Sequence, residues 1–263
     1  MLSALVARQR LRRRVAIVVA HPDDETIAAG ASLWLMPELL LVHVTDGAPR
    51  RLKDAGRKGF GSAEEYAAER ERELEAALAV AGVAPQRVRL GVADQDASLH
   101  MAAVTAELGL VFAQHGTEAV LTHAYEGGHP DHDATAFATH LAARRLGVPV
   151  VEFAGYHAGG AAAEMVLQRF LPGPPELRVV LDPGEAARKR AMLDCFVSQV
   201  EIISAFGASV ERFRPAPGYD FEAPPHAGQL NYERWGWEMT GARWRELAAT
   251  VDVRSMGGGV CVA

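Results

Sequence analysis

Val15-Ala16-Ile17-Val18-Val19-Ala20-His21-Pro22-Asp23-Asp24-Glu25 is an apolar run that stops abruptly at an imidazole and three carboxylates. A run this short and rich in valine and isoleucine reads as a strand buried on both faces. Residues 39–44, 88–90, 119–122 and 150–153 read the same way, bounded by turn residues. Between them, residues 63–81, 99–114 and 134–146 carry apolar side chains at helical spacing. This alternation predicts an α/β fold, Rossmann-like, with a mostly parallel sheet and helices on both faces. Such sheets take ligands outside the carboxyl ends of their strands, which is where His21 to Glu25 fall.

A second cluster, His129-Pro130-Asp131-His132, follows the predicted strand 119–122. In His-x-x-Asp the two side chains converge when the loop enters a helical turn, and proline suits the first position of such a turn. His21 and Asp24 can therefore chelate one ion, and His129 and His132 repeat the spacing. Two histidines and a carboxylate form a common catalytic zinc set, with a position open for water whose pKa falls to about 7. Spacing alone leaves open whether His129 or His132 is the ligand. A carboxylate beside that water can remove its proton, and an imidazole opposite can stabilise an oxyanion or protonate a leaving amine. The expected chemistry is amide hydrolysis at a metal site on the carboxyl ends of the strands. Zn2+ is the expected ion, although Fe2+ and other divalent ions share these ligands.

The chain has 263 residues, 49% hydrophobic and 23% charged, enough for one sizeable core. A net charge of −6 without a dominant basic stretch argues against a nucleic-acid surface and for a small-molecule substrate. Residues 1–14 hold a cluster of arginines and read as a basic arm or short helix. The apolar run after them is too short for a signal-peptide core. No membrane span is expected, and a cytoplasmic location follows from that reading. Cys195 and Cys261 make no disulfide framework, and Cys195 is expected in the core. A long helix is predicted from Asp182 through Phe206, and an irregular surface segment from Arg214 to Pro225. One domain over 1–263 is preferred, with no internal repeat.

The two clusters together resemble the PIG-L/LmbE-like deacetylases, zinc enzymes that remove acetyl groups from N-acetylglucosaminyl conjugates and related amides. Weaker points of similarity are Thr45-x-Gly47, Arg70-x-x-Glu73 followed by Ala77 and Gly82, Asp94, Lys189-x-x-Met192 and Ser198-Gln199. The resemblance implies His21, Asp24 and His132 as metal ligands and Asp23 as general base. It also implies His129 as electrophilic or acid partner, with Asp131 orienting it. Arg70 matches a family arginine near the substrate, and Asp94 and Tyr125 are the other candidate substrate contacts. His123 and His157 are further candidates for the pocket wall. His43, His100, His115, His140 and His226 are expected to be structural. Where relatives often have paired glycines after the first cluster, this chain has Ala29-Gly30-Ala31. Residues 207–263 lie outside the general signature and read as a subfamily segment, and loops around 53–62 and 219–237 are expected to form the pocket rim. Trp235 and Trp237 could stack on a sugar face, but the favoured reading is that they anchor the segment.

The expected substrate is thus an N-acetylated amino sugar or small glycoconjugate. Competing readings are the same chemistry on a larger acylated amide, or a non-catalytic or nucleotide-binding module. The last fits poorly, because His-Pro-Asp-Asp-Glu replaces the glycine-rich turn that admits a pyrophosphate. Oligomeric state is not legible in the residues.

Overall fold

The computed structural model describes residues 1–50, 55–56, 58–159 and 165–251. In chain order the elements are α1 (Leu2–Val6), β1 (Val15–Val19), α2 (Asp24–Ala29), β2 (Leu39–Pro49), α3 (Ala63–Ala81), β3 (Gln86–Asp94), α4 (Met101–His115), β4 (Ala119–His123), α5 (Pro130–Leu146) and β5 (Val150–Phe153). They continue with β6 (Tyr156–His157), β7 (Val166–Leu167), β8 (Leu177–Val180), α6 (Pro183–Leu193), α7 (Val200–Ile203), β9 (Val210–Pro215), α8 (Asn231–Arg234) and α9 (Gly241–Ala249).

β1 is buried at every position, and its alternate side chains feed two cores. Val15, Ile17 and Val19 join Leu39, Leu41 and Leu121, under α3 and α6. Ala16 and Val18 join Leu40, Val42 and Val120, under α4, α5 and Trp244 of α9. A strand covered on both faces holds a polar side chain only where a partner is buried with it, and β1 has none, so its sequence is an unbroken apolar run.

Among the described residues the main sheet has seven strands in the order β3-β2-β1-β4-β5-β9-β8. β1 to β5 are parallel, and β9 runs antiparallel to both β5 and β8. The chain winds outward from β1 through β2 to β3, then returns to place β4 on the other side of β1. The switch point, where an open α/β sheet leaves a crevice, therefore lies between the carboxyl ends of β1 and β4. Both histidine clusters open there.

Two segments differ from the sequence reading. The predicted helix 182–206 starts as expected, with Asp182 and Glu185 in a capping box and Pro183 at its first turn. It ends at Leu193, because Glu73 of α3 takes the Ser198 N–H at 2.6 Å and its hydroxyl at 2.7 Å, pulling the backbone out of helical register. Cys195 consequently lies beyond α6 and is half-buried, while Cys261 falls outside the described residues. Arg214 and Pro215, expected in an irregular segment, belong to β9. Its charged residues are buried in ion pairs, Glu211 with Lys189 and Arg214 with Glu152, each at 2.9 Å. Among the described residues no helix is long and apolar enough to cross a membrane.

Candidate metal centre

β1 delivers His21 directly at its carboxyl end, and α2 opens three residues later with Asp24 in its first turn. From the neighbouring strand β4, the loop 124–129 leads to His129, which caps α5, with Pro130 in the first turn and His132 following. Three donor groups meet: His21 Nδ1 lies 3.2 Å from His132 Nε2, and the Asp24 carboxylate reaches both nitrogens at 3.3 Å, His21 Nδ1 through Oδ2 and His132 Nε2 through Oδ1. Ligands bonded tetrahedrally at zinc distances are separated by about 3.4 Å, so this triangle fits a single ion.

The surroundings support the same three donors. His21 Nε2 faces Asp94 Oδ1 at 3.0 Å, so Nε2 carries the proton and Nδ1 presents its lone pair to the triangle. The His21 backbone N–H fastens Asp24 Oδ2 at 2.8 Å. His123 also approaches Asp24, at 3.4 Å, and stacks on His132. Its Nε2 already accepts the Ala20 N–H at 3.0 Å, which occupies that lone pair. An alternative group of His21, Asp94, His129 and Asp131 lies behind the first, but it needs the His21 nitrogen that carries the proton.

Asp23, Asp24, Asp94 and Asp131 are all enclosed around the histidines. Among the described residues, Arg70 is the only Lys or Arg that bonds to any of the four, through Asp23 Oδ2 at 2.9 Å. Burying this much negative charge is costly without compensation, and a divalent cation supplies it. Burial pushes Asp23 up to about 8, against the opposing pull of Arg70. His129 is held well below its ordinary value by burial and by His21 and His132. For His21 burial acts downward, yet Asp94, Asp131 and Asp24 raise it well above the usual value.

Asp23, within the first cluster, stands at φ 148°, a conformation rarely adopted by a side-chain-bearing residue. Strain of this kind costs on the order of 1–3 kcal/mol and persists where surrounding bonds impose it. Arg70 imposes it here, donating to Pro22 O at 2.7 Å, Gly47 O at 3.1 Å and Asp23. Gly47 (φ 68°) makes room, since a Cβ there would stand 2.9 Å from Pro22 and 3.0 Å from the guanidinium. Arg70 thus fastens Asp23 while also lining the cavity, and its Nε is buried without a partner.

Two other expectations change. The Asp131 carboxylate accepts the N–H groups of Gln95 at 2.6 Å and Ala97 at 3.0 Å and lies 3.3 Å from His21 Nε2. It stays 4.0 Å from His129 Nδ1, and it is the Asp131 backbone N–H that orients this ring, donating to Nδ1 at 3.1 Å. His129 therefore carries its proton on Nε2. Tyr125 stands apart from the cavity: its hydroxyl donates to Ala223 O at 3.0 Å, and its ring packs on Trp244 and Phe221. Burial of that ring in the second core is what removes it from the site.

A cavity of about 1210 Å³ opens over the cluster, lined by His21, Asp23, Asp24, Asp94, His129 and His132 at its base. Its wall includes Trp235 and Trp237, from the segment expected at the pocket rim, and Tyr156, which the sequence reading did not place there. The rule that weighted His157, a position just beyond the end of β5, applies equally to Tyr156; strand alternation sends one inward and the other away. Trp237 meets His129 edge-on at 4.8 Å. No periodicity marked the two tryptophans.

Residues 16–143 match the family model PIG-L, GlcNAc-PI de-N-acetylase. No match was found among curated proteins. Several solved structures share the fold. A40926 pseudoaglycone deacetylase Dbv21 has a TM-score of 0.59 at 23% identity, covering 78% of this chain and 97% of that one. The zinc-inhibited form of teicoplanin deacetylase Orf2 gives 0.58 at 17%, covering 79% and 99%. GalB, the 4-carboxy-2-hydroxymuconate hydratase of Pseudomonas putida KT2440, gives 0.50 at 18%, covering 73% and 82%.

Proposed function

We propose, from the match of residues 16–143 to the PIG-L family model, that the chain is a metal-dependent N-deacetylase of this type acting on an N-acetylated amino sugar or glycoconjugate. The observation that carries this reading is the triangle of His21 Nδ1, Asp24 and His132 Nε2 at 3.2–3.3 Å, with Asp23 and His129 beside it. His21, Asp24 and His132 would hold the ion. When bound, such an ion supplies Lewis acidity that brings the pKa of water to about 7 and polarises a carbonyl. Zinc is the ion we favour from the donor set.

Asp23 takes the proton of the attacking water. Its Oδ2 is tied to Arg70, which fixes the plane of the carboxylate relative to the cavity. His129 offers Nε2–H to the oxygen on which negative charge develops, because its Nδ1 is already capped by a backbone N–H. Giving that proton away outright would leave an imidazolate, so the electrophilic role fits His129 better than the acid role. Asp94 and Asp131 keep His21 in the tautomer that points Nδ1 at the ion. The leaving amine can recover its proton from Asp23.

Acetate release from a panel of N-acetylated sugars, with and without chelator, tests this reading. Release is expected to stop on chelation and return with a divalent ion. Turnover untouched by chelation, with the chain shown free of metal, would overturn it. Hydration of an unsaturated acid without acetate release would point to the chemistry of the hydratase that shares this fold.

A further inference from the structure

We propose that the ring-lined side of the cavity is a subsite for an apolar aglycone, with Trp235 as the specificity-determining residue; this rests on the deacetylase reading above. The rings form a continuous arc. Trp237 meets His129 at 4.8 Å between centroids, Trp235 meets Trp237 at 5.1 Å, Tyr156 meets Trp235 at 6.1 Å, and Phe206 meets Tyr156 at 6.2 Å. Tyr156 closes the arc on His132 at 5.2 Å. A substrate whose amide lies over the histidines therefore has an aromatic surface beside it, leading outward.

The mouth continues this apolar character. Trp235 is 44% exposed, and the cavity's other exposed apolar side chains are Leu99 at 55%, Ile202 at 54% and Met165 at 40%. Exposed apolar groups gathered round one opening mark a surface covered by a ligand, whereas scattered ones need no explanation. The volume agrees: about 1210 Å³ exceeds the roughly 300–1,000 Å³ of pockets for drug-sized ligands, far more than one acetylated hexosamine needs. The base of the cavity is charged, and beyond it Trp235, Leu99, Ile202 and Met165 give the mouth apolar surface, with Arg50, Lys58 and Glu201 also in the lining. That polarity matches a molecule with a polar N-acetylated sugar at one end and an apolar group at the other. Trp235 is the part of the arc most open to such a group, and its ring offers stacking area at little entropic cost.

Benzyl and methyl glycosides of N-acetylglucosamine differ only in the group this subsite would hold. The wild-type chain is expected to deacetylate the benzyl glycoside with about tenfold higher kcat/KM, expressed in KM. Trp235→Ala should collapse that ratio toward one, and Trp235→Phe should retain most of it. Calorimetric titration with the corresponding glucosaminides reads the same preference as a Kd ratio without requiring turnover. Equal kcat/KM and equal Kd for the two glycosides, or a benzyl preference that Trp235→Ala leaves intact, would overturn the subsite. Failure to deacetylate either sugar, with the Kd preference present, would instead count against the deacetylase reading and leave the subsite standing.

Discussion

Asp23→Asn is expected to lose about 100- to 10,000-fold in kcat, the range typical of removing a general base, while binding its ion as the wild type does. Asparagine is the informative replacement because the backbone here is at φ 148°, and asparagine tolerates positive φ better than most residues. Its amide oxygen can still accept from Arg70, so the links from Arg70 to Pro22 O and Gly47 O survive. What disappears is a site able to take a proton from water. Steady-state deacetylation beside metal analysis of the same preparation checks the result. Wild-type kcat in Asp23→Asn would show that the base lies elsewhere.

His132→Ala should have the second large effect, and of a different kind. Removing its Nε2 takes away one corner of the triangle, leaving His21 and Asp24 from a single loop to hold the ion. The loss should exceed the roughly 10- to 100-fold in affinity that follows from removing an outer partner of a ligand. After dialysis, metal content should fall from about one ion per chain to near zero, and activity with it. His123, stacked on His132 at 4.1 Å, cannot step in while its Nε2 accepts the Ala20 N–H. An His132→Ala protein that kept its full complement of metal would contradict the ligand set.

Most of the parallel sheet was legible because β1, β2, β4 and β5 each bury both faces, and their apolar runs have no other reading. The switch point that makes β1 and β4 neighbours was not stated by any residue, yet the paired clusters demanded it. β8 and β9 were hidden for an electrostatic reason. In Val210-Glu211-Arg212-Phe213-Arg214, Glu211 and Arg214 are buried against Lys189 and Glu152, so their partners lie far away in sequence and the segment looks like surface. The break after Leu193 was hidden likewise, since Glu73 supplies it from another helix.

Within the site, the meeting of His21, Asp24 and His132 could be anticipated from spacing and resemblance together. The division of labour among the outer carboxylates could not. Asp131 is next to His129 in the chain, which invited the pairing, but its side chain is drawn to the Gln95 and Ala97 amides at the end of β3. Asp94, a candidate substrate contact in the sequence, is the closer carboxylate to His21 Nε2, at 3.0 Å against 3.3 Å for Asp131. Arg70, expected near the substrate, lines the cavity and also forms an ion pair with Asp23 and bonds to Pro22 O and Gly47 O, partners that no local pattern announces. For Trp235 and Trp237 the residues offer two readings, stacking on a sugar face or anchoring the segment, and the sequence alone favours the second. Their place in the cavity wall depends on where the segment after α8 crosses the sheet, a tertiary fact with no local signature.

Anomalous diffraction at the zinc edge from zinc-loaded crystals tests the metal centre most directly. One peak is expected, bonded to His21 Nδ1, an Asp24 oxygen and His132 Nε2 at about 2.0–2.2 Å. A peak held instead among His21, Asp94, His129 and Asp131, a peak with His123 as a ligand in place of His21, or no peak in this cavity would contradict it.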